Sequence, residues 1–312
     1  MFGWRKVTEG LIWLSLVLPL VLYGSYSLRR PNRKVITRQP LFQGIVYTRQ
    51  VTNQPRPQIT HIFEIDLTAS GIEPFVTPGY AGADLSKYGL DRRETLAQKT
   101  SEFLTNQGLQ LAVNANFFYK FREVSPWNYY PHSGQPVNLT GVGISDGVIV
   151  SNHDSNDKKS FPALCFAAQR AEIAGNGMCQ NTTQHAVAGN LMMLENGQLT
   201  DKLKKEIASK GNKPYPFTVA ALDATGTRLW LVLADGKQPL YTEGVTLGEI
   251  TNLVQELGAD TAVRLDGGGS TTSAIATPDG PKVLNVPIQT KVPGRERPIA
   301  NHLGFFAKPL EP

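Results

Sequence analysis

The apolar positions of this chain fall into short runs broken by glycine and proline, and two periods can be read from them. Residues 59–67, ITHIFEIDL, alternate: Ile59, Phe63, Ile65 and Leu67 share one face with His61, and Glu64 and Asp66 point the other way. That is the period of a strand. Helical spacing is clearest in TLGEITNLVQELG (246–258), where Leu247, Ile250, Leu253, Val254 and Leu257 form one stripe. Thr246 and Glu249 make its capping box and Gly258 is its stop signal. A second helix is predicted over 95–108, with Thr95 and Gln98 as the capping box, Leu96, Phe103 and Leu104 as the stripe and Gly108 at the end. Each helix leads into a short apolar strand, LQLAV (109–113) or AVRL (262–265), and each strand into a polar loop. The layout recurs without sequence identity that would prove a repeat.

Turn signals place further strands. GVGISDGVIV (141–150) reads as a hairpin around Asp146-Gly147, and 217–236 as two strands about an Asp223–Gly226 turn. Residues 186–200 read as one strand running into an Asn196-Gly197 turn. The stretch 119–137, rich in Tyr, Trp and Pro, has no period and is a loop long enough for a functional role. The expectation is an α+β fold: a mixed, largely antiparallel β-sheet core with a few packed helices, in a single domain.

Composition narrows the class. With 312 residues, 41% of them hydrophobic, the chain can bury a large core, and 29 glycines and 21 prolines fit many turns and short strands. The net charge of +5 is concentrated in Arg29, Arg30, Arg33, Lys34 and Arg38, so no basic face points to nucleic acid. Residues 10–28 carry no charge and follow Arg5 and Lys6, and the apolar stretch Leu11 to Tyr23 has the length of a signal-peptide core. The organisation read from this is a signal peptide or signal anchor (1–28), a basic linker (29–40) and one domain (41–312). The domain is then expected outside the cytoplasm, membrane-anchored, or secreted if the segment is cleaved. The more basic run after the segment opposes that orientation.

Cys165 and Cys179 are the two cysteines. Two short strands around Gly175-Asn176-Gly177 would bring them together as a disulfide, suited to an oxidising compartment; two buried thiols are the plainer reading. Neither the cysteines nor the five histidines have metal-binding spacing. No cofactor is called for, and a divalent cation beside an acid stays open.

The loop RLDGGGSTT (264–272) concentrates the chemistry. Gly267, Gly268 and Gly269 permit close backbone approach and an anion-binding nest of N–H groups. Ser270, Thr271 and Thr272 add hydroxyls, and Arg264 and Asp266 share a strand face. The mixture suits a phosphate or sugar-phosphate ligand beside one carboxylate. It lacks the Gly-Lys-Ser/Thr of a P-loop and the spacing of a dinucleotide fingerprint. A tight turn between strands is the competing reading.

With these motifs in place, the chain resembles the phosphodiester glycosidase family. HIFEIDL resembles the family's first strand, LQLAVNANFF (109–118) its AINGGFF segment, and AVAGNLMMLENGQ its middle strand and turn. Residues 229–272 resemble its most distinctive block, and ERPIANHLGFF (296–306) its closing strand. Two positions depart. Asn114-Ala115-Asn116 stands where NGG is usual, and Phe217 stands where the family often has an arginine. Arg264, Arg297 or Lys237 would then have to hold the phosphate.

The resemblance implies hydrolysis of a glycosyl–phosphate bond, with a sugar phosphodiester or anionic polysaccharide of the envelope as substrate. Glycoside cleavage generally uses carboxylates beside the anomeric centre, and a phosphate leaving group needs less acid assistance. Asp266 is the expected catalytic carboxylate, with Asp235 and Glu243 as second candidates. Asn114 and Asn116 are expected to orient sugar hydroxyls, the loop N–H groups, Arg264 and Arg297 to hold phosphate, and Asn301 and His302 to line the cleft or simply complete a strand. The rival reading is a non-catalytic, envelope-anchored module that binds anionic polysaccharide or sugar phosphate.

Overall fold

The computed structural model describes residues 30–80, 94–152, 161–210 and 213–310, with scattered positions of 13–28. Most of the uncharged N-terminal segment therefore lies outside the described residues. Among those described, no helix is long and apolar enough to cross a membrane.

In chain order the main elements are β1 (Ile36–Phe42), β2 (Ile45–Thr52), β3 (Gln58–Asp66), β4 (Glu73–Val76), α1 (Thr100–Gln107) and β5 (Leu111–Asn114). Then come β6 (Gly143–Ser145), β7 (Val148–Ser151), β8 (Ala163–Ala167), β9 (Arg170–Ala174), β10 (His185–Ala188) and β11 (Leu191–Glu195). The chain continues through α2 (Asp201–Lys210), β12 (Phe217–Leu222), β13 (Arg228–Ala234), α3 (Leu247–Glu256) and β14 (Thr261–Arg264). It closes with β15 (Ser273–Thr277), β16 (Gly280–Val283) and β17 (His302–Phe306).

Three antiparallel sheets surround one core. The largest has eight strands, in the order β1-β2-β3-β13-β12-β14-β11 followed by the short strand Gln198–Leu199. A five-stranded sheet runs β16-β15-β5-β17-β4, and a second runs β7-β6-β10-β8-β9. The shared core takes Phe63, Leu231 and Val263 from the first, Val113 and Phe305 from the second, and Leu164 and Val187 from the third. The outer face of the eight-stranded sheet packs Val219, Trp230 and Ala262 against Leu203 of α2 and Ile250 and Val254 of α3. On the outer face of the second sheet, Ala112 and Ala274 meet Phe103 and Leu104 of α1. β5 and β14 are thus covered on both faces, which is why LAV and AVRL read as continuous apolar runs rather than alternating ones.

The α+β architecture and its largely antiparallel sheets agree with the reading of the sequence, and three local expectations are corrected. Residues 95–98 are extended, because the Thr95 hydroxyl donates to the Ala300 carbonyl and Gln98 bridges Ile299. The helix starts at Thr100, where the Glu102 carboxylate accepts the Lys99 N–H. Residues 186–200 form three strands in two sheets: Gly189, whose missing side chain lets it lie against the Arg264 carbonyl, parts β10 from β11, and the expected Asn196-Gly197 turn joins β11 to Gln198–Leu199. The tip joining β8 to β9 is at Ala168, with positive φ, and Gly175–Gly177 turns the chain after β9. That second turn carries Cys179 back to Cys165, and the two form a disulfide with Cα atoms 5.7 Å apart. The expected helix at 246–258 and the turns at Asp146-Gly147 and Asp223–Gly226 are present.

Candidate active site at the glycine loop

The two helix–strand–loop layouts meet at their loops. β5 ends at Asn114 in one sheet and β14 ends at Arg264 in another. Beyond them the Asp266 N–H donates to the Ala115 carbonyl at 2.9 Å, and the Asn114 amide donates to the Asp266 carbonyl at 2.6 Å. Asn114 Oδ1 accepts from the Thr218 hydroxyl at 2.8 Å and from the Thr272 N–H at 3.1 Å. Asn114 is thus a staple between three strand ends and is occupied in that role. The same holds for Asn116, which donates to the carbonyls of Thr140 and Val142 and accepts from the Ala188 N–H and the Asn301 amide. Asn116 has both amide hydrogens and both carbonyl lone pairs engaged, whereas Asn114, fully buried, uses one of its two amide hydrogens, on the Asp266 carbonyl.

The glycine loop itself runs through a short 3₁₀ turn, Gly268–Ser270. Gly268 has φ of +66°, and a Cβ there would lie 2.6 Å from the Tyr215 hydroxyl. A Cβ on Gly269 would lie 2.5 Å from Arg297 Nη2. The glycines therefore let a tyrosine and a guanidinium press onto the backbone.

Asp266 sits at the base of this loop, 9% exposed. Its carboxylate accepts the Gly267 N–H at 2.8 Å and the Ser270 hydroxyl. Burial lifts it to about 6, against the pull of Ser270, Arg297, the Gly267 N–H and Lys237. Arg297 Nη1 donates to Ser270 Oγ at 3.2 Å, its Nε donates to Gln289, and its Nη2 pairs with Glu123 at 2.9 Å. The Lys237 ammonium lies 4.1 Å from the Tyr215 ring centroid. Around this cluster Thr271 Oγ1, Thr272 Oγ1, Gln289 Nε2 and Asn301 Oδ1 are buried with no hydrogen-bond partner among the described residues. Buried polar atoms are rarely left so, and a ligand able to accept and donate hydrogen bonds would complete them.

The other sequence candidates fall elsewhere. Asp235 is 2% exposed and fully engaged: His61 Nε2 at 3.1 Å, the Asn285 amide at 2.9 Å and the Val286 N–H at 3.1 Å all point at it. The Tyr47 hydroxyl lies 2.7 Å from His61 Nδ1, so the imidazole bridges Tyr47 and Asp235. Asn285 in turn donates to the Thr271 carbonyl and accepts the Ser273 N–H, so Asp235 supports the loop from beneath. Glu243 contributes through its backbone, accepting from the Lys237 N–H and donating to the Pro57 carbonyl. Arg264 is tied to Glu206 at 2.7 Å and Asn190 at 2.9 Å, so it supports α2. His302 is buried in the core, stacked on Phe103, and burial lowers it to about 3. Phe217 packs in the apolar cluster with Tyr215.

Glu123 escaped the sequence reading. It lies in the first strand of a small hairpin, Arg122–Glu123 with Tyr129–Tyr130, inside the Tyr-, Trp- and Pro-rich stretch. Arg295 holds that hairpin through the Pro126 carbonyl at 2.6 Å and the Tyr129 hydroxyl at 3.2 Å. Glu296, between the two arginines, caps α1 through Ser101. The sequence offered no signal beyond the loop's composition, because the Glu123–Arg297 pair spans 174 residues.

A separate cavity of about 670 Å³ opens beside Pro78, Glu94 and Asp146. It contains none of the loop residues. The glycine loop is the better site, because there a desolvated carboxylate, two cations and unpaired hydroxyls occur together.

Comparison with known proteins bears on the fold and the family. The chain resembles the zebrafish N-acetylglucosamine-1-phosphodiester alpha-N-acetylglucosaminidase catalytic domain, auto-inhibited by its pro-peptide, with a TM-score of 0.57 at 16% identity, covering 88% of this chain and 87% of that one. A putative exported protein of Burkholderia pseudomallei matches with a TM-score of 0.52 at 13% identity, covering 80% of this chain and 74% of the other. A hypothetical protein from Synechocystis matches with a TM-score of 0.50 at 13% identity, covering 90% and 64% respectively. No curated protein sequence matches the chain. At these identities the structures show a shared fold. The phosphodiester glycosidase family model matches residues 107–306, from the end of α1 to the end of β17, and the chain belongs to that family.

Proposed function

We propose that the protein is a hydrolase that cleaves the bond between a sugar's anomeric carbon and a phosphodiester oxygen, acting outside the cytoplasm on an envelope or extracellular sugar phosphodiester. The observation that carries the reading is Asp266, a buried carboxylate lifted to about 6 beside Arg297, Lys237 and the unpaired Thr271 and Thr272 hydroxyls. In its ionised form Asp266 faces the anomeric centre and stabilises the positive charge that develops there as the bond to phosphate lengthens. Arg297 and Lys237 neutralise the charge gathering on the departing phosphate. The threonine hydroxyls and Gln289 bind the sugar or the phosphoryl oxygens. The zebrafish protein's name states an N-acetylglucosamine-1-phosphodiester, and the same bond type is proposed here with the sugar left open.

The Cys165–Cys179 disulfide supports a compartment that permits oxidation. The uncharged 10–28 segment supports export or anchoring, and hence a membrane as partner.

The test is hydrolysis of a panel of glycosyl phosphodiesters and nucleotide sugars by the detergent-solubilised full chain and by its Asp266→Asn variant. Turnover by the wild type and a loss of about 10³-fold or more in the variant are expected. Saturable binding without turnover would instead favour the polysaccharide-binding module.

A further inference from the structure

Arg297 uses all three of its nitrogens: Nε on Gln289, Nη1 on Ser270 and Nη2 on Glu123. The Ser270 and Gln289 bonds lock the guanidinium onto the loop. The Glu123 bond is different. Glu123 comes from the separate hairpin, its side chain is 28% exposed, and it is the one carboxylate in ion-pair contact with Arg297 among the described residues. Phe121 of the same hairpin covers the guanidinium face at 4.4 Å. Nη1 and Nη2 each keep one further N–H, so a phosphoryl oxygen that reaches Arg297 binds a guanidinium already paired with a carboxylate.

The consequence depends on the charge of the ligand. A phosphodiester carries one negative charge. A phosphomonoester carries close to two once pH is well above its second ionisation, near 6. The proposed reaction converts one into the other. Water's oxygen joins the anomeric carbon, the carbon–oxygen bond to phosphate breaks, and its electron pair leaves on the phosphoryl oxygen. The products are the free sugar, a phosphomonoester and a proton released to solvent. The product is thus more negative than the substrate at the position beside Glu123.

Building on the proposed function, we infer that Glu123 sets the preference of the site for phosphodiesters over phosphomonoesters and so speeds release of the phosphate product. Its carboxylate lowers the net positive charge that Arg297 offers. One negative charge is accommodated; a second is repelled at short range in a partly buried setting, where such repulsion is weakly screened. Without Glu123 the same guanidinium would be a strong phosphomonoester trap.

The experiment measures binding of phenyl phosphate and diphenyl phosphate to the full chain at pH 8, for wild type, Glu123→Gln and Glu123→Asp. Glu123→Gln is expected to tighten phenyl phosphate about 10-fold and to move diphenyl phosphate less than about 3-fold. Glu123→Asp keeps the charge and is expected to keep the wild-type ratio. The Arg295 bonds to Pro126 and Tyr129 hold the hairpin independently of Glu123. If neither probe binds the wild type, the phosphate role of Arg297 falls, and this inference with it. If both bind and the ratio is unchanged in Glu123→Gln, the role of Glu123 alone is refuted. Loss of turnover in Glu123→Gln with an unchanged binding ratio would make Glu123 a catalytic acid and also overturn the proposal.

Discussion

Asp235 and Asp266 are both buried aspartates followed by glycine, each just beyond or near the end of a strand in the same eight-stranded sheet. Their surroundings differ. Asp235 receives hydrogen bonds from an imidazole, a side-chain amide and a backbone N–H. Asp266 accepts from one N–H and one hydroxyl, among buried hydroxyls that have no partner among the described residues. A buried carboxylate with its acceptors filled is part of the framework. One left short of partners, with its proton affinity raised, is poised for a ligand. The Asp-Gly sequence cannot tell these cases apart. The hydrogen bonds can.

This contrast can be broken most decisively at the two acids themselves. Asp266→Asn is expected to lower kcat/KM about 10³-fold or more, measured on whichever phosphodiester the wild type turns over. Asp235→Ala leaves His61, Asn285 and the Val286 N–H facing an empty site. It should destabilise the fold by about 3 kcal/mol or more in urea unfolding, with activity lost only as folding is lost. Arg297→Gln removes a charge-assisted donor to the proposed phosphate and should raise KM about 10- to 100-fold with a smaller change in kcat. The pH profile of kcat/KM gives the smallest effect. Asp266 acts as the ionised form, so activity should rise with pH through about 6 and level off above it. A profile already flat at pH 5 would place the active carboxylate elsewhere.

How much of this was legible beforehand follows from sequence distance. The α3 helix and the hairpin turns rest on contacts within a few residues, such as Thr246 with Glu249, and the pattern of the chain declares them. The glycine loop was legible too, because three glycines and three hydroxyl residues between apolar strands have few structural uses. The helix start was misplaced because Thr95 has the residue type of a cap but spends its hydroxyl on Ala300, 205 positions away. Arg264 was assigned to phosphate because it shares the loop's strand, yet Glu206 on α2 claims it. Asn114 lies against the loop, bonded to Asp266 and Thr272, and Asn116 lies one strand end away. The Asn114 carbonyl is taken by Thr218 and Thr272 and the Asn116 carbonyl is shared with Asn301, partners that only the closed sheets bring near. Glu123, Gln289 and Asn285 carried no sequence signal, since each matters through a partner reached across the fold.

Stability offers the most direct test of the difference between the two acids. Asp266 is lifted from 3.8 to about 6 in the folded protein, so the folded state holds its proton more tightly than the unfolded chain does. The Asp266 contribution to stability on this account is fully present below pH 3.8 and is lost as pH rises through about 6, by ~3 kcal/mol in all. Asn has no such charge to bury. The decisive measurement is the unfolding free energy of Asp266→Asn against wild type at pH 8. The variant should equal or exceed the wild type in stability while having lost its turnover. A loss of several kcal/mol, like that expected for Asp235→Ala, would contradict this and make Asp266 a second structural acid.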